Sequence, residues 1–570
     1  MTYRTIAHRL ASLPLVLLAL ALAAPAFAAK PDPELGRRLY ETGIDRKGNP
    51  ITGIDHNDIS YEGEQAACLR CHRRSGFGGS EGGYYVPPIP KDFLYESSRS
   101  DRNDRFRAAF LEAQSVQHWV RVRMPRARPA YTDETLAAAI REGYSPTGQK
   151  FDALMPRYTL DDQDMANLIA HLKTLSSQIS PGVDDTFMHF GMVLSEGIDP
   201  GEREAMIRTT EAFFEWYNER LTGDKNLIAS ERVYGMQFRE STRLWKLHLW
   251  ELKGDSKSWP RQLRSHYKKT PVFAMVNGMV AGSWNPIGEF CDEQKLPCLF
   301  PLTQAAQHTR DLGGYTIYYS RGLELEADLI LQHLYDQGLA SGRSIVQLHQ
   351  AGPGGAIPAA RFNARIARLP GVEVETLAYT DHASLDKALN ELAARGELRH
   401  DIIIWPGDDA AAVDRVLARP ELAATDIYTS SRAFEAIHSG AVGEAAKANV
   451  GRLIAAWPFS LPEDRHPDAY RVRAWMRSRA LPVTAERIQF MSYYSLGILR
   501  DAGRHMFEHY HRDYLMERIE HEVDGAVNPG FYPNLELGPE QRFVSKGGYV
   551  VRTDAQDSSK IKAISPWMLP

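Results

Sequence analysis

The sequence predicts a multidomain chain, with an all-α domain first and a larger, two-lobed α/β domain after it. Three observations predict it. Between Lys30 and Ile179 the apolar residues fall at helical spacing, with no alternating strand pattern. A polar segment containing Pro181 and Gly182 follows, of the composition that separates domains. From Phe187 onward, short apolar runs alternate with amphipathic helical patterns, in two sets of similar length. At 570 residues the chain is also too long for one ordinary core. The expected divisions are 1–28 (a leader), 30–179, a linker at 180–186, and 187–570.

Hydrophobic content of 43% and charged content of 24% belong to a water-soluble globular protein. The leader reads as a secretory signal. Arg4 and Arg9 form its positive region, Leu13 to Leu22 its apolar region, and Ala26-Phe27-Ala28 a small-residue cleavage site. Its loss removes two positive charges and moves the formal charge from -5 to about -7. That balance argues against nucleic acid as a partner. No apolar run is long enough to span a membrane, so the expected location is the periplasm.

The chemistry of the first domain centres on Cys68-Leu69-Arg70-Cys71-His72. Cys-x-x-Cys-His is the attachment signature of c-type haem. One short turn presents both thiols to the porphyrin edge and the imidazole to the iron. A zinc site would need further ligands at finger spacing, and a redox dithiol would follow a strand; neither pattern is present. Pro33 to Thr42 reads as a first helix. The glycine-rich stretch Ser75 to Gly83 lacks the Lys-Ser/Thr ending of a phosphate loop and reads as backbone wrapping the haem edge. A second iron ligand is expected from Leu154-Met155-Pro156, on an irregular segment before a helix over Leu160 to Leu175 that starts at Thr159. Met124-Pro125 is the alternative. Arg126 and Arg128 are candidate partners for haem propionates.

From Gly36-Arg37-Arg38-Leu39-Tyr40 through Met155-Pro156-Arg157-Tyr158 to Leu168-Ile169-Ala170-His171-Leu172-Lys173, this half resembles the class I c-type cytochromes. The resemblance implies a small helical fold around one low-spin haem, with His72 and Met155 as axial ligands. The insertion from Lys91 to Arg128 exceeds what a minimal member of that family needs. His/Met ligation raises the reduction potential and suits an electron carrier.

In the second half, Phe187 to Leu194, Trp245 to Leu252, Pro271 to Val276 and Pro297 to Leu302 read as strands with helices between them. A second set begins with a helix at Leu323 and strands at Arg343 to His349, Val372 to Ala378 and Asp401 to Trp405. Cys291 and Cys298 are close enough to bridge; two buried thiols are the alternative. His505 and His509 lie one helical turn apart, but with no third ligand in view a solvated helix face is the expectation.

The order of these pieces resembles the type I periplasmic binding proteins, the branched-chain amino-acid receptor group. It rests on Ser195-Glu196-Gly197, on Pro271 to Gly278 leading to Ser283, on Lys295 to Thr303, and on Tyr493-Tyr494 with the terminal strand Gly547 to Arg552. That resemblance implies chain crossings near Tyr318 and Phe459, with hinge closure on a ligand. It further implies that Ser195, Ser283, Trp284 and Thr303 face a ligand from one lobe and Asp408 from the other. The bland reading of the hydroxyls is helix capping.

Two functions follow as expectations. The first is a mono-haem c cytochrome carrying electrons to or from a periplasmic dehydrogenase or oxidase, coupled to a module that binds a solute or a partner. The second is an ABC-importer substrate-binding protein with an accessory haem domain, or a ligand or redox sensor. No catalytic constellation is legible, so the chain reads as a binding and electron-transfer protein rather than an enzyme.

Overall fold

The computed structural model describes residues 30–81, 84–97, 128–151, 154–222, 243–306, 313–338, 344–369, 371–394, 400–438, 440, 443–463, 468–506, 509–539, 541–554 and 560–570. The leader (1–28), Met124 and Arg126 lie outside them. The described residues form two compact units. The first runs to His72 and takes up again over 79–97 and 128–176. The second comprises 73–78 and everything described from Ser177 on.

In the first unit, the helix Pro33–Thr42 packs against the helix Asp162–Leu172. Asp32 caps the former, accepting from the Glu34 amide. The latter is capped by Asp161, not Thr159, because the Asp161 carboxylate accepts from the Asp164 amide and pairs with Arg46. The two backbones touch at Gly36, where a Cβ would lie 1.9 Å from the Asn167 carbonyl oxygen. Tyr40 packs beside His171, and a core of Leu39, Leu136, Ile140, Leu160, Met165 and Leu168 closes the unit.

This unit is not all-α. Thr52–Ile54 (β1) pairs antiparallel with Ser60–Glu62 (β2) and with Arg157–Tyr158 (β5). Gly79–Glu81 (β3) and Tyr84–Val86 (β4) form a hairpin where the sequence suggested wrapping backbone. The short pieces answer a local need. The helices Pro33–Thr42 and Asp133–Glu142 each end at a left-handed glycine, Gly43 or Gly143. Each is followed by the same turn, closed by Ile51 N–H donating to Gly43 O (2.9 Å) and by Phe151 N–H donating to Gly143 O (2.8 Å). The unit thus uses one helix-and-turn device twice.

The second unit holds two twisted sheets. The first contains Phe187–Ser195 (β6), Leu244–Leu252 (β7), Ala274–Val276 (β8), Cys298–Leu299 (β9) and Thr316–Ile317 (β10), all parallel, in the order β10-β9-β8-β6-β7. The second contains Ser344–Gln350 (β11), Glu373–Tyr379 (β12), His400–Trp405 (β13), Ile427–Thr429 (β14) and Leu453–Trp457 (β15). Its order is β12-β11-β13-β14-β15, extended by the antiparallel strands Tyr549–Thr553 (β16) and Ile561–Ala563 (β17). Helices cover both faces of this sheet. Ile345, Ile403 and Tyr428 meet the helices Leu323–Asp336 and Pro353–Ile366, while Val346, Ile402 and Ile404 face the other way.

The chain passes between the lobes three times: after β10, after β15 and before β16. The first and third crossings lie side by side. Tyr318 N–H donates to Arg542 O (2.8 Å), and Ser545 N–H donates to Tyr319 O (2.7 Å). In the second, Ser460 N–H donates to Phe531 O (2.9 Å).

Three further expectations change. The segment read as a linker (180–186) is docked on the second unit. The buried Arg512 donates to Pro181 O, Val272 O, Phe273 O, Gln294 O and Tyr267 Oη, so it binds this segment to β8's approach. The late helix ends at Met506, so His509 is not on the same helix as His505. Finally, Arg73–Gly78 belongs to the second unit, because its polar and aromatic partners stand on the helix Arg512–Glu522.

Candidate functional site

Two places in the chain have the makings of a site. The first is the Cys-x-x-Cys-His turn. The backbone closes on itself when His72 N–H donates to Cys68 O (2.9 Å), making the one-turn helix Leu69–His72. Cys68 and Cys71 are not joined to another cysteine. His72 is buried, and its Nδ1 lies 3.2 Å from the Pro87 carbonyl oxygen. A carbonyl only accepts, so Nδ1 carries the proton and Nε2 offers its lone pair. Burial holds the imidazole down at about 4, so the ring is neutral at pH 7.

These residues fit haem c. Two thiols one turn apart, with a neutral imidazole whose other nitrogen is oriented by a backbone carbonyl, are what covalent attachment and axial ligation require. Met155 would be the opposite ligand. It is half-buried and packs against the core of this unit, as do Cys68, Leu69 and Ile89. Its segment is fastened to the motif: β5 follows directly, Tyr158 pairs with Gly53, and Tyr158 Oη donates to Ala66 O (2.9 Å). Ala66 stands two residues before Cys68. Arg128 is engaged elsewhere, donating to the carbonyls of Phe93, Leu94 and Pro129 and lying over the Tyr131 ring.

The second place is set by topology. Each sheet of the second unit has its first strand between its second and third, so each has a switch point. In open parallel sheets the crevice beyond the carboxyl ends at that point is where ligands bind. In one lobe it lies at the ends of β6 and β8, in the other at the ends of β11 and β13. There the first turn of the helix Pro353–Ile366 meets the loop after β13, since a Cβ on Gly354 would come within 2.8 Å of the Gly407 Cα.

The sequence-predicted ligand residues fall at or beside these ends, with local duties. Ser195 Oγ donates to Glu196 O (2.9 Å) and accepts from the Ala281 amide (2.8 Å). Ser283 Oγ accepts from the Asn285 amide and Thr303 Oγ from the Ala305 amide, both at 3.1 Å. Trp284 is 0% exposed and is a core residue rather than a lining one. Asp408 is exposed and pairs with Arg432 (2.9 Å). Cys291 and Cys298 are joined in a disulfide, with their Cα atoms 6.3 Å apart.

Sequence reasoning missed other polar constellations. Arg487, on the helix Glu486–Met506, makes a forked ion pair with Glu435 of the helix Ser431–His438 (both contacts 2.9 Å) and lies over Phe459. Near it, Glu326 is buried and receives the Ser431 amide and hydroxyl, and burial raises its carboxyl to about 7. His189 bridges Asp184 and His248. Among the described residues no group of three or more His, Cys, Asp or Glu could hold a metal ion. None of the described helices is long and apolar enough to cross a membrane.

No family model matches the chain, and no curated protein does. Solved structures do match. A fatty acid ABC transporter substrate-binding protein from Thermomonospora curvata is 16% identical, over 69% of this chain and 95% of its own, with a TM-score of 0.48. A branched chain amino acid ABC transporter protein from Thermus thermophilus with bound valine is 10% identical, over 68% and 97%, with a TM-score of 0.48. A leucine binding protein from Thermotoga maritima is 13% identical, over 67% and 99%, with a TM-score of 0.44.

Proposed function

We propose that this chain is a periplasmic receptor for a small solute, with a first unit that carries one covalent haem c. The observation that carries the receptor half is the repeated strand order. Two sheets with matching switch points, joined by three crossings of which the first and third lie side by side, make a two-lobed binder that closes by bending at the crossings. A soluble receptor of this architecture delivers its solute to a membrane importer or a sensor. The reading assigns binding and electron transfer, not turnover of the solute.

In the first unit, Cys68 and Cys71 would hold the porphyrin through thioethers, and His72 and Met155 would ligate the iron. Haem supplies a one-electron couple. The chain's own residues do the rest. Pro87 O fixes the tautomer of His72, burial keeps the ring neutral, and Tyr158 Oη ties the Met155 segment to the motif. The His72–Pro87 hydrogen bond favours a second reading beside the first, in which the unit exchanges electrons with a periplasmic dehydrogenase or oxidase.

Native mass spectrometry of protein purified from a periplasm tests both halves. The expected result is the mass of one covalent haem plus a noncovalent small molecule released on unfolding. Covalent haem without bound solute, and without thermal stabilisation by a panel of amino acids and fatty acids, would sink the receptor reading. A polypeptide mass without haem would sink the other half.

A further inference from the structure

Glu326 lies one helical turn beyond the first crossing between the lobes. That crossing runs from β10 through Tyr318 and Tyr319 to Gly322, where the helix Leu323–Asp336 begins. The start of the helix is pinned to the first lobe. Leu323 N–H donates to Gln304 O (2.9 Å), and a Cβ on Gly322, at φ 56°, would lie 2.0 Å from the same oxygen. Glu326 is buried, and it accepts from both the amide (2.8 Å) and the hydroxyl (2.6 Å) of Ser431, 105 positions away. Ser431 opens the helix Ser431–His438, which packs against β15, so both of these helices belong to the second lobe.

What faces the carboxyl from the other side belongs to the crossings and to the first lobe. Tyr532 stacks on Tyr319 of the first crossing (centroids 6.0 Å apart) and meets Phe459 of the second (5.3 Å). Arg487 lies over the same Phe459 ring (4.8 Å), on a helix that packs against Pro200–Thr222 of the first lobe. Tyr532 and Arg487 both act electrostatically on Glu326. Arg487 gives its fork to Glu435, so the hydrogen bonds that Glu326 receives come from the uncharged donors of Ser431. The surroundings of this acid are thus built from both sides of the hinge.

We propose that Glu326 is a proton-linked positioning residue of the hinge: closing the lobes buries it in its acid form, so that solute and proton are bound together. The proposal rests on the receptor reading above. Removed from water and set near the Glu435 carboxylate, the Glu326 acid is pushed up to about 7, against the pull of the Ser431 hydrogen bonds and of Arg487. When the lobes part, Arg487 and Tyr532 turn away from the second lobe, water reaches the carboxyl, and its value falls toward the ordinary 4.5. Between those values the closed form holds a proton that the open form has released. Closure therefore takes up a proton, and solute affinity falls as pH rises from about 4.5 to 7.

Other charged groups stand on the elements packed around this acid. Glu435 pairs with Arg487, Arg432 with Asp408, Asp328 with Arg361 and Arg365, and Asp426 with Arg552. Burial pushes Tyr532 up to about 12. It lowers His333, farther along the same helix, and His438, and both remain in Glu326→Gln as a common background. A carboxyl that merely caps the helix Ser431–His438 would stabilise the fold without changing how affinity follows pH.

Isothermal titration of the full-length protein with the amino acids and fatty acids of the panel above reads both affinity and protons taken up, from pH 4.5 to pH 8 in buffers of differing ionisation enthalpy. For a panel member that binds, the wild type is expected to take up as much as one proton more than Glu326→Gln. Its affinity is expected to fall by up to about tenfold per pH unit between pH 4.5 and pH 7, and that fall is absent in Glu326→Gln. Ser431→Ala keeps the carboxyl and removes a hydrogen bond that favours its ionised form, so the upper break in its profile moves to higher pH. The same profile in wild type and Glu326→Gln would overturn the proposal. If Glu326→Gln does not fold, an unmoved break in Ser431→Ala overturns it equally. Failure of every panel member to bind defeats the receptor reading and this proposal with it, whereas binding with a flat wild-type profile defeats the Glu326 proposal alone.

Discussion

Met155 and His72 show how few atoms decide the properties of the first unit. The His72 imidazole is held by one carbonyl, Pro87 O, and Met155 is positioned by the short strand that follows it. In Met155→Ala the iron would keep its histidine and lose the thioether. The expected outcome is loss of the low-spin His/Met absorption spectrum, with haem still covalently attached; an unchanged spectrum would place the ligand at Met124. A second residue, Glu326, makes a pH-dependent contribution to stability. It is 1% exposed, and burial raises its carboxyl to about 7 from an ordinary 4.5. Between those values the folded chain binds a proton that the unfolded chain has lost, so folding stability falls as pH rises from about 4.5 to 7. The expected outcome is that Glu326→Gln, which keeps an acceptor for Ser431, flattens this part of the curve. Melting temperatures of both proteins from pH 4.5 to pH 8 check it. The Cys-x-x-Cys-His turn was legible in the sequence because its residues are contiguous. Glu326 and Ser431 were not, since nothing local connects positions 105 residues apart. The hydroxyls of Ser195, Ser283 and Thr303 were read as ligand groups with helix capping as the alternative, and each accepts from a loop amide.

At the scale of elements, the contact between the helices Pro33–Thr42 and Asp162–Leu172 organises the first unit. Its closest point is Gly36, where any side chain would drive into the Asn167 carbonyl. Asn167 cannot retreat cheaply, because its Oδ1 accepts from the Asp32 amide (2.9 Å) just before the first helix. Gly36→Ala is expected to cost about 2–4 kcal/mol, since backbone is the obstacle and the helices must separate. Chemical denaturation followed by far-UV circular dichroism reads this loss; a variant as stable as the wild type would mean that the helices part without penalty. Helical periodicity made both helices readable, but not their ends. Asp161 outcompetes Thr159 as a cap because its carboxylate also binds Arg46. The short strands were invisible because two- and three-residue pairings leave no periodic signal. In the second unit the alternation of strand and helix was plain throughout. The antiparallel pair β16 and β17 was half-read, since an edge hairpin at the chain's end breaks the parallel rhythm.

For the whole of the second unit, the argument turns on what can bend. The crossings hold each other through backbone hydrogen bonds at Tyr318, Tyr319 and Ser460, and these stay in place while the lobes rotate about them. Contacts that span the lobes away from the crossings must break when the crevice opens. The pair of Arg487 and Glu435 also spans the lobes, beside the crossing at Phe459, over whose ring Arg487 lies. The helix Glu486–Met506 packs against the helix Pro200–Thr222 of the first lobe, whereas Ser431–His438 packs against β15 of the second. Both side chains are about one-third exposed, so solvent screening limits the pair to about 1 kcal/mol. Glu435→Gln keeps the shape and removes the charge. If the pair helps to hold the lobes closed on a solute, its loss withdraws that help from the bound state alone, and affinity falls by about fivefold. Isothermal titration with the solute identified by mass spectrometry measures this. Equal affinities in the two proteins would show that the pair is kept in open and closed forms alike, and the hinge would then have to be sought on the other side of the helix Glu486–Met506.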